Sequence, residues 1–330
     1  MKLHNRGHGS APSSVRHLPR WQQLVTASWL AALLFGEAVA AAPSGAWRLF
    51  EVGYDGLESF RASHIPGAGY LDTRQLEQGP LWNKVPDRAL LQLLLEHGVR
   101  HDTSVILYGR NNLAAARAAH LMLYAGVTDV RMLDGGFTAW NERALPAAVG
   151  APARFPAAHD FGAVFPAHPE YLIDTRQVKA LLRRGDGALV SIRTWQEFIG
   201  QTSGYAYITA KGDIPGARWG RAGDDGDVNS MSDFHRPDGT MRALDEICGF
   251  WRKADIHAGR QTAFYCGTGW RASLAFFYAW LMNWERISVY DGGWCEWSSD
   301  PANPIASRSP FPANAVQGPL GCSGLAAPTC

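Results

Sequence analysis

The stretch Gln261-Thr262-Ala263-Phe264-Tyr265-Cys266-Gly267-Thr268-Gly269-Trp270-Arg271 sets one cysteine between an aromatic, β-branched run and the apolar segment Ala272 to Leu281. The spacing predicts a strand, a four-residue turn and a helix. Two glycines let the turn curl so that several backbone N–H groups face the sulfur, where the helix dipole also favours negative charge. A thiol of ordinary pKa about 8.5 falls to roughly 3.5–7.5 in such surroundings, and the thiolate is the nucleophile. Cys266 is therefore the expected catalytic residue. Gly267, Thr268, Gly269, Trp270 and Arg271 form the loop expected to cradle whatever the sulfur binds.

A repeat extends this reading over the chain. Leu133-Asp134-Gly135-Gly136-Phe137, followed by Trp140, mirrors Tyr290-Asp291-Gly292-Gly293-Trp294, followed by Trp297, with 157 positions between Asp134 and Asp291. The same offset sets Cys266 on Gly109, Gly269 on Asn112 and Arg271 on Ala114. His64-Ile65-Pro66-Gly67-Ala68 likewise parallels Asp213-Ile214-Pro215-Gly216-Ala217. The first copy keeps the framework and lacks the nucleophile, so one active site is expected.

A length of 330 residues accommodates two domains with a leader and a tail. Short apolar runs (105–108, 130–133, 189–192 and 287–290) alternate with helical stretches (88–95 and 113–124), which argues an α/β fold in which each domain is a parallel sheet flanked by helices. The expected boundaries are a first, catalytically inactive domain over residues 46–146, a linker rich in Ala and Pro over 147–167, a catalytic domain over 168–305 and a tail over 306–330. Residues 1–42 read as a signal peptide: Arg16 and Arg20 precede the apolar run 24–35, and Ala38-Val39-Ala40 offers a small-residue cleavage site, with Ala42 an alternative. The expected compartment is the periplasm, with no stable membrane span once the leader is removed. The segment 219–236, with Asp224-Asp225-Gly226-Asp227, reads as a solvated acidic insertion.

With these motifs in place the chain resembles the tandem-domain rhodanese-like sulfurtransferases, the thiosulfate and 3-mercaptopyruvate sulfurtransferase family. The resemblance rests on the Cys266–Arg271 loop, on Gly212-Asp213-Ile214-Pro215-Gly216-Ala217 for the family's Gly-His-Ile-Pro-Gly-Ala, on the Tyr290–Trp294 signature and on the approach Ser203-Gly204-Tyr205 to Lys211. It implies transfer of sulfane sulfur from a small anionic donor, thiosulfate or 3-mercaptopyruvate, to a thiol or cyanide through a Cys266 persulfide. Such double displacement uses no cofactor and no metal. Asp213 replaces the family's histidine, and Ser191-Ile192-Arg193 stands where an Asp-x-Arg triplet is common. A persulfide carrier or sensor without turnover is the alternative of a different class, and a phosphate or arsenate enzyme is the enzymatic one. The loop is one residue shorter than that of cysteine phosphatases, which favours a single sulfur over an oxyanion.

A formal net charge of +1 and the lack of a long basic run beyond the leader argue against a nucleic-acid partner. An anionic donor instead calls for local cations, for which Arg271, Lys211, Arg193 and Arg218 are the candidates. Arg271 either binds the donor or steadies the loop through a carboxylate. The histidines, among them His64, His168, His235 and His257, do not recur at ligand spacing and read as surface or turn residues. Cys322 and Cys330 are candidates for a tail disulfide, and Cys295 is either inert or a partner for oxidised Cys266.

Overall fold

The computed structural model describes residues 18–307; the expected tail, with Cys322 and Cys330, lies outside them. In chain order the first domain comprises β1 (Leu24–Val25), α1 (Ala27–Leu34), β2 (Trp47–Gly53), α2 (Leu57–Ala62), β3 (Gly69–Asp72), a small hairpin β4 (Glu77–Gln78) and β5 (Asn83–Lys84), α3 (Asp87–Glu96), β6 (Ser104–Tyr108), α4 (Asn112–Ala125), β7 (Asp129–Leu133) and α5 (Gly136–Glu142). The second comprises β8 (Leu172–Ile173), α6 (Thr175–Arg184), β9 (Gly187–Ser191), α7 (Trp195–Ile199), β10 (Arg218–Trp219), α8 (Leu244–Lys253), β11 (Gln261–Tyr265), α9 (Trp270–Leu281), β12 (Ile287–Tyr290) and α10 (Gly293–Ser299). The five-stranded sheets have orders β1-β7-β6-β2-β3 and β8-β12-β11-β9-β10. Every pairing in them is parallel, and the orders correspond strand for strand. Both domains are the expected α/β design.

The strands are short apolar runs covered on both faces, as parallel sheets require. The two repeat motifs that follow β7 and β12 start α5 and α10. Gly293 (φ +54°) stands where a Cβ would come within 2.7 Å of the Cys266 carbonyl, so its position is closed to larger residues.

The stretch read as a leader supplies the first strand and helix of the first domain: Leu24 and Val25 pair with Met132 and Leu133, and Thr26 caps α1 by accepting the Trp29 N–H. Trp29 and Leu30 are buried beneath it. β8 and α6 play the same part in the second domain, where Asp174 is the cap. An apolar run ending in small residues suits a buried edge strand and helix as well as it suits an export signal. The first domain therefore begins upstream of residue 46, and cleavage at Ala40 or Ala42 would strip the sheet of its edge. Among the described residues no helix is long and apolar enough to cross a membrane.

α4 and α9 pack against each other between the domains. Both are apolar on nearly every face, the pattern of a helix enclosed on all sides. The alanines of α4 permit close approach, and His120 meets Phe276 edge-on at 4.7 Å. Burial and the neighbouring Arg117 hold His120 down to about 3, so it is neutral in the interface.

The linker wraps back on the first domain, with the Gly150, Ala153 and Ala158 N–H groups donating to the Arg61, Ala68 and Leu95 carbonyls. The acidic segment departs from expectation too. Its Ala222, Met231 and Phe234 are buried in the core, while Asp224, Asp225 and Asp227 stay exposed. His64 and His235 are likewise packed rather than superficial, His64 stacked on Phe60 and His235 against the Tyr278 hydroxyl at 2.8 Å.

Candidate active site

Cys266 follows β11 directly, and α9 begins four residues later. The Gly269 N–H donates to Cys266 Sγ at 3.2 Å, with Gly269 at φ +109°. The Cys266 and Gly267 carbonyls are turned away, accepting the Trp294 and Cys295 N–H groups at 2.8 and 3.0 Å. The start of α10 thus fixes the peptide planes so that the loop presents its amides, not its carbonyls, to the sulfur. Gly267 cannot carry a side chain, since a Cβ there would lie 2.3 Å from the Tyr205 ring.

The four cations singled out from sequence have different fates. Arg271 is buried and forked onto Glu197, Nη1 to Oε2 at 2.8 Å and Nη2 to Oε1 at 2.9 Å, while Nη2 also meets the Tyr205 hydroxyl at 2.9 Å. Its role is to tie the loop to α7. Arg193 is buried with Asp213 (3.2 Å) and Glu197 (3.4 Å) and donates to the Gly212 carbonyl. Arg218 pairs with Asp255 at 2.5 Å, and Lys211 is exposed; neither lines the cavity. Three of the four cations, Arg271, Arg193 and Arg218, are thus held in ion pairs rather than free at the mouth.

Burial works to raise the Glu197 carboxyl, but Arg271 and Arg193 outweigh it and hold Glu197 below the usual carboxylate range. Asp213 is raised by burial, against the opposing pull of Arg193 and hydrogen bonds from Tyr265, Ile214 and Ser191. Here Asp213 and Arg193 form a pair beneath the loop, with Ser191 Oγ donating to Asp213 at 2.8 Å.

Above the loop is a cavity of about 370 Å³, whose walls are largely aromatic. The second domain contributes Tyr205, Tyr207, Val228, Asn229, Thr268, Trp270 and Arg271; the first contributes Tyr54, Glu77 and Trp82. Tyr205, Tyr207 and Arg271 all lie within electrostatic reach of Cys266. Burial, with the cysteine as a further cause, pushes Tyr207 up to about 12 against a bond to Thr268, so its hydroxyl remains a donor. Cys295 is partly buried and free; burial and Glu296 push its thiol up, which leaves it a poor nucleophile at neutral pH.

The first domain builds part of this site. Glu77 of β4 accepts the Trp270 indole N–H at 2.5 Å and the Arg117 Nε–H at 3.0 Å. Arg117, fully buried on α4, reaches Asp291 at 2.6 Å. Asn83 and Lys84 of β5 bind Glu296 and Asp291 at 2.6 and 2.9 Å. Glu77, Arg117 and Glu197 were not picked out from sequence, and Tyr205 entered only as part of a motif. Only the Ser203-Gly204-Tyr205 approach pointed near any of them.

In the first domain the matching loop is closed on itself: Asn112 Oδ1 accepts the Gly109 N–H at 3.2 Å, and a Cβ on Gly109 would lie 2.5 Å from the Asn111 carbonyl. No nucleophile fits there without moving the backbone.

The family description "Rhodanese-like domain" matches residues 40–143 and again 174–300. The chain belongs to the rhodanese family. Its relatives include thiosulfate sulfurtransferase YnjE of Escherichia coli K12, 53% identical over 298 residues, 90% of this chain and 68% of that protein. The sulfur carrier protein TtuD of Thermus thermophilus is 29% identical over 270 residues, 78% of this chain and 90% of the relative. The crystal structure of YnjE superposes with a TM-score of 0.86, covering 88% of this chain and 70% of the other. The anaerobic ergothioneine biosynthesis enzyme of Chlorobium limicola, solved with trimethyl histidine as its natural substrate, is 37% identical with a TM-score of 0.85, covering 89% and 72%. Tandem rhodanese domains and these homologues make the chain a sulfurtransferase of the rhodanese type.

Proposed function

We propose that the protein transfers sulfane sulfur from thiosulfate or 3-mercaptopyruvate to a thiol or cyanide through a persulfide on Cys266. The observation that carries this reading is the buried sulfur held at the focus of the Cys266–Trp270 turn by the Gly269 N–H. In the first half-reaction the Cys266 thiolate attacks the donor's outer sulfur. With thiosulfate the sulfur–sulfur bond breaks and sulfite leaves with the electron pair; with 3-mercaptopyruvate a carbon–sulfur bond breaks and pyruvate leaves after taking up a proton. The loop amides stabilise the terminal persulfide anion as an oxyanion hole stabilises oxygen. In the second half-reaction an acceptor thiolate or cyanide attacks the terminal sulfur and Cys266 leaves as thiolate.

Steady-state assays with each donor, with cyanide and with a small thiol as acceptors, test this. Release of sulfite or pyruvate in step with acceptor sulfuration, over many turnovers, supports an enzyme. A single stoichiometric loading without turnover supports the carrier alternative, which the sulfur carrier among the relatives keeps in view. Phosphatase or arsenate reductase activity without sulfur transfer would sink the proposal.

The cavity itself favours a further acceptor class. Tyr54, Trp82, Tyr205, Tyr207 and Trp270 offer aromatic faces, and the one guanidinium among the lining residues is neutralised by Glu197. Such walls suit a planar or cationic acceptor better than a small anion. Trimethyl histidine, the substrate of the Chlorobium limicola relative, is of that kind. Persulfide-loaded protein incubated with it should yield a sulfurated product by mass; unchanged trimethyl histidine with persistent persulfide rules this acceptor out.

A further inference from the structure

Trp270, the first residue of α9, faces two cavities. One is the cavity of about 370 Å³ above the Cys266 loop. The other, of about 330 Å³, lies in the first domain at the carboxyl ends of β2 and β6, where Tyr70, Asn111 and Ala114 are among its walls. Tyr54 also lines both. Asn111, on the first-domain side, donates its Nδ2–H at 3.0 Å to Oδ1 of Asn229, which lines the Cys266 cavity. Two aromatic rings and one side-chain hydrogen bond, drawn from both domains, thus divide the two spaces. The Trp270 ring is pinned in this wall. Its indole N–H donates to Glu77 Oε1 at 2.5 Å, while Arg117 holds the other oxygen at 3.0 Å. A buried carboxylate costs stability unless it is paired and hydrogen-bonded, so these two donors make Glu77 tolerable there and Glu77 in turn fixes the ring. The repeat counterpart of Trp270 is Leu113, which is buried in the core. The framework uses that position for packing, and a ring set between two cavities is particular to the second domain.

Given sulfur transfer through Cys266, we propose that Trp270 is a selectivity residue: its pinned ring partitions the sulfur-transfer cavity from the first-domain cavity and so denies the tail of a long acceptor the space over Ala114. Small-molecule pockets commonly span about 300–1,000 Å³, so either cavity alone stands near the lower bound. With the ring removed, the two become one cleft across both domains. A long thiol is then held with its sulfur at Cys266 and its tail in the first domain. The chemistry is the same for every thiol, whose thiolate attacks the terminal sulfur of the persulfide while Cys266 leaves as thiolate. What Trp270 sets is how much of the acceptor the protein can grip while that happens.

Discharge of the preloaded Cys266 persulfide by two neutral thiols of different length, 2-mercaptoethanol and pantetheine, tests this. The full chain is loaded with thiosulfate or 3-mercaptopyruvate, loading is confirmed by intact mass, and the second-order rate constant for each thiol is read. The ratio of pantetheine to 2-mercaptoethanol should rise at least about tenfold in Trp270→Ala and stay within about threefold of wild type in Trp270→Phe, which keeps a ring in the wall. Adding Ala114→Leu, which fills the first-domain cavity, to Trp270→Ala should take the gain away. A loop that has merely loosened slows both thiols alike and leaves the ratio where it was. Circular dichroism establishes that each variant has folded. If Trp270→Ala does not fold or load, Tyr54→Ala, half exposed and outside the Cys266 loop, opens the same wall and should raise the ratio at least about threefold. An unchanged ratio in the folded and loaded variants, or a gain that survives Ala114→Leu in folded protein, overturns the proposal. A wild-type chain that takes up no sulfur from either donor overturns the sulfur-transfer reading itself, and this inference with it.

Discussion

Arg117 Nη2 and Asp291 Oδ1 lie 2.6 Å apart across the domain interface, joining α4 of the first domain to the Asp-Gly-Gly motif beside the Cys266 loop. The relationship has a partial mirror image. Asp291 accepts the Lys84 N–H at 2.9 Å and Asp134 accepts the Met241 N–H at 2.8 Å, and both pairs are related by the same 157-residue offset. Each domain's Asp-Gly-Gly motif is thus gripped by a loop of the other. The symmetry breaks at Arg117, whose counterpart is Leu274. The first domain, with Gly109 where the second has Cys266, carries the clamp and one wall of the cavity above the Cys266 loop.

Replacing Arg117 by Leu should therefore affect both stability and transfer. It leaves Glu77 and Asp291 buried without their cation, an effect expected to cost about 3–5 kcal/mol. Urea unfolding measures the stability, and turnover of the folded fraction should fall because Trp270 loses a fixed Glu77. Wild-type stability in this variant would remove the clamp from the account.

Burial pushes the Asp134 carboxyl up to about 7, outweighing the Met241 N–H and the more distant Arg236. Because the folded state holds this proton more tightly than the unfolded one, its favourable contribution is complete below about pH 4 and is lost as pH rises toward 7. Asp134→Asn mimics the protonated form. Relative to wild type it should gain stability at pH 8, on the order of 1–3 kcal/mol, with the difference vanishing near pH 4. Urea midpoints at the two pH values read this; a variant less stable at pH 8 contradicts it.

The fork of Arg271 onto Glu197 predicts that it steadies the loop rather than binds the donor. Arg271→Ala should lower the unfolding free energy by about 3–5 kcal/mol, and Arg271→Lys should recover only part of that, since one ammonium cannot reproduce the fork. In folded protein the donor KM should change less than kcat. A large rise in KM at unchanged stability would instead place the guanidinium on the donor.

A chain beginning at residue 43 should be far less stable than one beginning at residue 18. It loses the β1 edge and the buried Leu24, Trp29 and Leu30, each worth about 1.5–3 kcal/mol of burial. Thermal unfolding of both chains checks this directly; equal melting temperatures would return the stretch to a dispensable leader.

The duplicated design could be read from the sequence because its signals are local: turn motifs with tryptophan spacing, short apolar runs and a cysteine heading a glycine turn. The interdomain site could not be read in the same way. Trp270 and Glu77 are 193 positions apart, and Arg117 and Asp291 are 174 apart, so their pairing follows from how two helices meet rather than from any local pattern. Charge was visible at Arg193 and Arg218, but their carboxylate partners Asp213 and Asp255 were not. The packing of the edge strand and α1 was not legible because composition alone does not separate an apolar segment bound for a membrane from one bound for a sheet.

The central claim, a persulfide on Cys266, is tested most directly by intact mass spectrometry of the protein and its Cys266→Ser and Cys295→Ser variants after brief exposure to thiosulfate or 3-mercaptopyruvate. The account predicts a gain of one sulfur atom in wild type and Cys295→Ser, discharged by a thiol acceptor, and none in Cys266→Ser. Loading that survives Cys266→Ser, or no loading of wild type by either donor, would contradict it.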